Sequence, residues 1–360
     1  MYKRLEDVSQ ELNHLWEKGV VRGKSVGWDW KNLPFTIKEG CTTYIAASPT
    51  SGKTEFWLEI LINLSCLHGW NHIIFTPETG EPKDIFAEIC RKYIGKSYLP
   101  SENQMDIRER TKAELFVSQH FILIDPMDED LTIQGFYQQV DKIERELSMS
   151  FHTTTIDPWN ELTEDYLPND LGREDKYLSR ILGFVRKNAR KTGRHNCVIN
   201  HCRDIPPITK DGITYYPPPT ARDFAGGQAW YRKGLLMLIL WRPPFGLCDG
   251  CGIPYQENET ILKIAKSKPK GVSINGTYKI FLDVEKYQYY MMDMFNTRIY
   301  ANRNQEVKYI ANQELINFYE PKESEKIEDI EYIEEVKSLK TNDYEEHEDF
   351  FKMPPRDNPF

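Results

Sequence analysis

Long apolar runs are scarce in this chain. The longest, GLLMLILW at 234–241, is far shorter than the roughly 20 residues that a membrane-spanning helix requires, so no helical span is expected. An export signal is equally missing: MYKRLEDVSQELNHL mixes charges and has no apolar centre, which predicts a cytoplasmic protein with no membrane partner. Cysteine is sparse and odd in number, seven residues spread from Cys41 to Cys251, a pattern of reduced thiols rather than a disulfide framework. The one CxxC, Cys248 to Cys251, has no second pair and no nearby histidine at zinc-ligand spacing, so no metal site is assigned to it. Internal repeats are also lacking.

Positive charge is short as well. A net charge of -9 over 360 residues argues at first against a phosphate-rich partner. The distribution weakens that argument. Residues 321–360 hold 13 Asp or Glu against 6 Lys or Arg, a net of -7, which leaves residues 1–320 at only -2. Within this near-neutral body Arg180, Arg186, Lys187, Arg190, Lys191 and Arg194 gather where a helix ends, and the plainest reading is a solvated face with cations at the C-terminal dipole. Hydrophobic content of 40% with 28% charged residues is that of a folded globular body.

Three regions are expected: a helix within 1–22, a main domain over 23–320 and an acidic tail over 321–360. In the first, Leu5, Val8, Leu12 and Leu15 or Trp16 fall at helical spacing before Gly19. In the second, strands are predicted at 42–47, 72–76, 121–125, 153–157, 197–201, 235–241 and 261–266. Helical patterns lie between them at about 53–67, from Lys83 onward, at 132–147 and at 174–191. Strands separated by helices pair in parallel, because the crossover needs a helix, so the architecture is α/β. The later YKIFLDVEKYQYYMMD reads as further strands in an antiparallel extension. The tail turns to charge runs too polar to bury a core, with one helical pattern in IEDIEYIEEVKSLK.

The most specific motif is ASPTSGKT, comprising Ala47, Ser48, Pro49, Thr50, Ser51, Gly52, Lys53 and Thr54, set directly between a strand and a helix. A loop there can turn successive backbone N–H groups and a helix N-terminus toward a polyphosphate. Lys53 would then meet the β- and γ-phosphates of ATP, and the Thr54 hydroxyl would hold Mg²⁺. Ala47 replaces the glycine that commonly begins such loops, a change of one methyl group. Hydrolysis also needs a carboxylate for the metal and another for the attacking water. Asp125 and Asp157 each end a strand in Ile-Asp-Pro, and Glu78 follows the strand after the loop's helix; spacing alone does not choose among them.

The order of segments resembles the ATPase domain of DnaB-type and Twinkle-like replicative helicases, including the helicase halves of phage primase-helicases. The similarity runs from GWDWKNLPFTIKEG through ASPTSGKTEF, FTPETGEP, IDPWNEL, VINHCRD and DFAGGQAW to KSKPKGVSINGTYKIFLD, roughly residues 25 to 290. It implies a RecA-like P-loop ATPase core with a mostly parallel central sheet, preceded by a linker helix that docks on an adjacent subunit. It implies that Asp157 is the metal carboxylate, Glu78 the catalytic base and His201 the γ-phosphate sensor. It places DNA-contacting loops near a ring axis, with Lys210, Arg222, Gly226 and Gly227 in the long proline-rich segment 204–225 and just beyond it. The family carries Lys-x-Arg on a late strand, whose arginine enters the neighbouring subunit's ATP site. Here Lys266-Ser267-Lys268 stands instead, and lysine lacks the planar fork of arginine, so slower or differently tuned turnover is expected.

The implied activity is an ATP-dependent helicase, a hexameric ring moving 5′ to 3′ on single-stranded DNA and opening forked duplex during replication. Priming would come from another chain. The ending Asp357-Asn358-Pro359-Phe360 is similar to the tips of bacterial single-stranded-DNA-binding proteins, and suits a tail that recruits a replication protein. The alternative is a RecA-like ATP-binding recruitment, loader or recombinase-type module with little unwinding, which Lys268 favours.

Overall fold

The computed structural model describes residues 2–20, 22–48, 50–125, 130–210, 213–244, 246–248 and 252–303. The expected boundary at 320 and the acidic tail lie outside them. Elements follow in the order α1 (Ser9–Lys18), β1 (Lys24–Ser25), β2 (Thr36–Ile37), β3 (Thr42–Ala47), α2 (Lys53–His68), β4 (His72–Phe75), α3 (Pro82–Ile94), α4 (Ile107–His120), β5 (Phe121–Leu123), α5 (Ile133–Leu147) and β6 (Thr153–Ile156). Then come α6 (Glu174–Thr192), β7 (His195–His201), β8 (Ile208–Lys210), β9 (Ile213–Tyr215), α7 (Ala229–Lys233), β10 (Leu236–Trp241), β11 (Glu259–Ser267), β12 (Gly276–Asp283), β13 (Gln288–Met292) and β14 (Arg298–Tyr300).

One ten-stranded sheet runs β14-β13-β12-β11-β10-β3-β7-β6-β4-β5. From β10 to β5 the strands are parallel; from β10 to β14 every pairing is antiparallel. The sheet is therefore mixed, with a parallel core and an antiparallel extension, and the expectation of a mostly parallel sheet holds for the core alone. The reason is local. Beyond β10 the described residues of the connections carry no crossover helix, and without one a strand returns antiparallel.

Alternate residues of β3 face opposite layers: Ile45 and Ala47 pack with α2, α3 and α4, while Tyr44 and Ala46 pack with α5, α6 and Trp230. Burial on both faces explains why the core strands read as nearly continuous apolar runs. Helix α2 is buried on all sides from Phe56 to Cys66, whereas α6 buries one stripe through Tyr177, Leu178, Ile181, Leu182 and Val185. Helix α1 buries nothing in its own chain, and leaves Leu12, Leu15 and Trp16 exposed.

Three readings need correction. The helical region from Lys83 is two helices, α3 and α4, because Gly95 ends the first in a left-handed conformation and Asp106 caps the second. The segment 204–225 is not a bare loop, since β8 and β9 form a small hairpin inside it and Phe224 is fully buried. The basic cluster at the end of α6 is only partly a solvated face. Arg194 is buried against Asp141 and Glu144, and Arg180 forms ion pairs with Asp170 and Asp165.

Candidate nucleotide site

The loop after β3 turns directly into α2, so its backbone sits at a helix N-terminus where unpaired N–H groups favour an anion. Thr50 and Gly52 both adopt positive φ, 61° and 77°, which folds the chain back around a central space. Ser51 is buried and its hydroxyl accepts from the Arg242 amide at 3.4 Å. Pro49 lies outside the described residues.

Adjacent parallel strands bring the remaining groups to the same edge. Strand β7 lies beside β3 with His201 opposite Ala47, β6 follows with Asp157 just past its end, and β4 leads into Glu78. The Thr54 hydroxyl donates to Asp157 Oδ2 at 2.6 Å. That bond separates the two candidate carboxylates, because Asp125 follows the edge strand β5 and is exposed. Asp157 is 2% exposed, and desolvation pushes its carboxyl up to about 6 against the opposing pull of Thr54 and Lys53. Its other oxygen, Oδ1, is buried with no hydrogen-bond partner among the described residues.

Lys53 Nζ lies 3.5 Å from His201 Nδ1, and His201 Nε2 lies 3.4 Å from Glu78 Oε2. An ammonium has only protons to give, so Nδ1 accepts and Nε2 carries its hydrogen toward Glu78. From His201 the contacts continue into the next segment. Ala225 N donates to His201 O at 3.0 Å, Asn200 Nδ2 donates to Ala225 O at 3.0 Å, and Arg203 pairs with Asp223 at 2.7 Å. Gly226 follows with φ 85°, a backbone conformation that favours glycine, and a Cβ there would press on the ends of the Leu178 and Glu174 side chains at 2.6 and 2.9 Å. Gly227 also has positive φ, and Arg222 is exposed. Lys210 ends β8, and its side chain lies outside the described residues.

Lys266 and Lys268 are not part of this assembly within one chain. Ser267 pairs with Leu236, which pairs with Thr43, four residues or about 13 Å of strand from Ala47 and at the opposite edge of the sheet. Lys266 is held by the Tyr231 carbonyl and stands 4.7 Å from that residue's ring centroid.

Sequence reasoning missed Arg242. It follows β10, its guanidinium comes within 3.7 Å of where a Cβ on Gly52 would be, and its Nε is buried with no hydrogen-bond partner among the described residues. It lines a cavity of about 580 Å³ with Asn258, Leu282, Asp283, Tyr290 and Arg298, a size typical of small-molecule sites. A lone arginine after a strand carries no signal in sequence, and the other lining residues lie up to 56 positions away.

No family model matches the chain. A stretch of 207 residues, 55% of the chain, is 23% identical to the Twinkle homolog protein, chloroplastic/mitochondrial, of Arabidopsis thaliana, and corresponds to only 28% of that protein's length. The ATPase domain of G40P superposes with a TM-score of 0.62 at 14% identity, over 83% of this chain and 99% of that one. The chain has the RecA-like fold of DnaB- and Twinkle-like helicase ATPase domains. A DnaB-like replicative helicase, solved in a study of its interactions with primase, agrees at TM-score 0.57 and 15% identity, over 80% of this chain and 67% of that one. In this RecA-like fold the loop after β3 occupies the carboxyl edge of the parallel core, where open α/β sheets hold their ligands. Among the described residues no helix is long and apolar enough to cross a membrane.

Proposed function

We propose that the chain binds and hydrolyses ATP and uses the cycle to move along single-stranded DNA as a ring of copies, opening forked duplex. Hexameric assembly and 5′ to 3′ travel follow from the family resemblance. The observation that carries the reading is the convergence of Lys53, Thr54, Asp157, Glu78 and His201 at one sheet edge beside a helix N-terminus. The Thr54 hydroxyl and the unpaired Asp157 Oδ1 form a hard oxygen donor set that suits Mg²⁺. When bound, that ion supplies positive charge to phosphate oxygens. Lys53 and the loop amides hold the phosphates, Asp157 orients Thr54, and Glu78 orients the attacking water and takes its proton. His201 sits between Lys53 and Glu78, and its tie to Ala225 makes the segment bearing Arg222, Gly226 and Gly227 follow what happens at the phosphate. The cavity beside Arg242 takes the sugar and base.

Lys268, with Lys266 behind it, serves a neighbouring copy's site, a reading that its placement at the opposite edge supports. DNA contacts fall to Lys210 and Arg222, and the recruitment of a replication protein to the tail. One observation favours the second reading, a RecA-like ATP-binding module with little unwinding: Lys266 is tied to its own chain's Tyr231. A forked-duplex assay separates the two. Strand release that requires ATP supports the helicase; ring-forming protein that hydrolyses ATP with single-stranded DNA yet releases no strand at any salt concentration removes it.

A further inference from the structure

Strand β13 belongs to the antiparallel extension, yet it touches the phosphate-binding loop. The Tyr289 hydroxyl donates to Gly52 O at 3.3 Å, the carbonyl that also accepts the first helical bond of α2 from Phe56 N at 2.9 Å. About two turns on from Gly52 along α2, Glu59 Oε2 accepts from the Tyr289 amide at 2.8 Å, and its Oε1 meets Arg303 at 3.2 Å. Phe56 packs edge-on against the Tyr289 ring with centroids 5.8 Å apart. Lys92, wholly buried, lies 5.5 Å from the ring centroid and pairs with Glu55, the residue after Thr54, at 2.7 Å. The tyrosine is thus fixed by its amide, its ring and its hydroxyl, all against the start of α2. A Cβ at residue 52 would come within 2.5 Å of that hydroxyl, but only 3.8 Å from the ring carbon bearing it.

We propose that Tyr289 is a positioning residue for the phosphate-binding loop, its hydroxyl holding the Gly52 peptide in the orientation that turns the loop's N–H groups toward phosphate. The proposal rests on the nucleotide-binding reading above. It makes residue 52 a glycine for two separable reasons, its left-handed backbone and the space that the hydroxyl occupies. A neutral hydrogen bond contributes about a fivefold effect in an equilibrium, so removing this one weakens nucleotide binding without touching the groups that act on the phosphate.

The test uses the full chain, a fluorescent ATP analogue for affinity and steady-state ATP hydrolysis. Tyr289→Phe keeps the ring and its packing; it should raise the Kd for the analogue and the KM for ATP about fivefold while leaving kcat unchanged. Gly52→Ala should abolish measurable binding, and adding Tyr289→Phe to it should restore some, since the clash disappears and only the backbone cost remains. An unchanged Kd and KM in Tyr289→Phe, a fall in kcat at constant KM, or a double variant that binds no better than Gly52→Ala would each overturn the proposal. Lys53→Ala is the control: if it leaves the analogue's affinity intact, the nucleotide reading itself fails, whereas its loss with an inert Tyr289→Phe sinks only the positioning role.

Discussion

Lowering the pH should destabilise the nucleotide-free fold through histidines buried in their neutral form. At the amino edge of the parallel core, Ser65 donates its only hydroxyl hydrogen to Trp70 O, so His72 Nε2 must donate to Ser65 Oγ and Nδ1 must accept from Thr153. A second proton on that ring would face a hydroxyl already pointing at it. His195 is held with the roles of its nitrogens reversed, Nδ1 donating to Lys38 O and Nε2 accepting from Thr43, and His120 donates to Asn71 Oδ1. Desolvation holds His72 well below the usual range and brings His120 and His195 down from 6.5 to about 4. The unfolded chain binds these protons first, so stability is intact above pH 6.5 and is lost as the pH falls toward 4. At pH 5 the gap from 6.5 is 1.5 units, or about 2 kcal/mol for each of His120 and His195 at ~1.36 kcal/mol per unit. Asp157 opposes them, because its carboxyl, raised from 3.8 to about 6 by burial, keeps a proton that the unfolded chain releases, worth about 1 kcal/mol at pH 5. For these three groups together the loss is about 3 kcal/mol, which should lower Tm by about 6 °C between pH 7.5 and 5, at roughly 2 °C per kcal/mol for a domain of this size. Thermal melts followed by circular dichroism measure it, and His195→Gln should flatten the slope. A Tm that stays level or rises on acidification would refute the neutral-histidine argument.

Lys53→Ala should abolish ATP binding, whereas Glu78→Gln should keep it and lower hydrolysis by about 10² to 10⁴, the usual range for a lost general base; equilibrium binding and phosphate release measure the two, and an unchanged rate in Glu78→Gln means another group handles the water. Lys268→Arg should raise the hydrolysis rate of the assembled protein about tenfold or more, a fraction of the 10³ to 10⁵ that arginine fingers contribute elsewhere. It should do nothing to dilute monomer. A lower or equal rate in the assembly would remove the intersubunit role of that residue.

Much of the parallel core was legible because each strand is a short β-branched or apolar run bounded by turn residues, and TTYIAA matches β3 residue for residue. The phosphate-binding motif was legible for a related reason: its function is carried by a contiguous loop and needs no distant partner. Asp157 and Asp125 could not be ranked by residue pattern, since both follow strands; what distinguishes them is strand order, a property of pairing across the sheet. Hairpin β8–β9 was missed because three-residue strands among prolines leave no periodicity to read. Arg180 and Arg194 read as a solvated face in the sequence because their acidic partners lie on other segments, with Glu144 of α5 fifty positions from Arg194. Glu59 illustrates the same limit more strongly, as a buried charged residue whose partners Tyr289 and Arg303 lie more than 200 positions away.

The reversal of strand direction after β10 also gives every copy two unlike poles. If Lys268 serves a neighbour's cradle, as proposed above, each head-to-tail contact completes one cradle, because the lysines and the loop lie at opposite ends of the strands. An open stack of n copies then holds n-1 completed cradles and wastes one at its extremity. Closure recovers it, so activity per copy should climb with the length of the stack and reach its plateau when the last member meets the first.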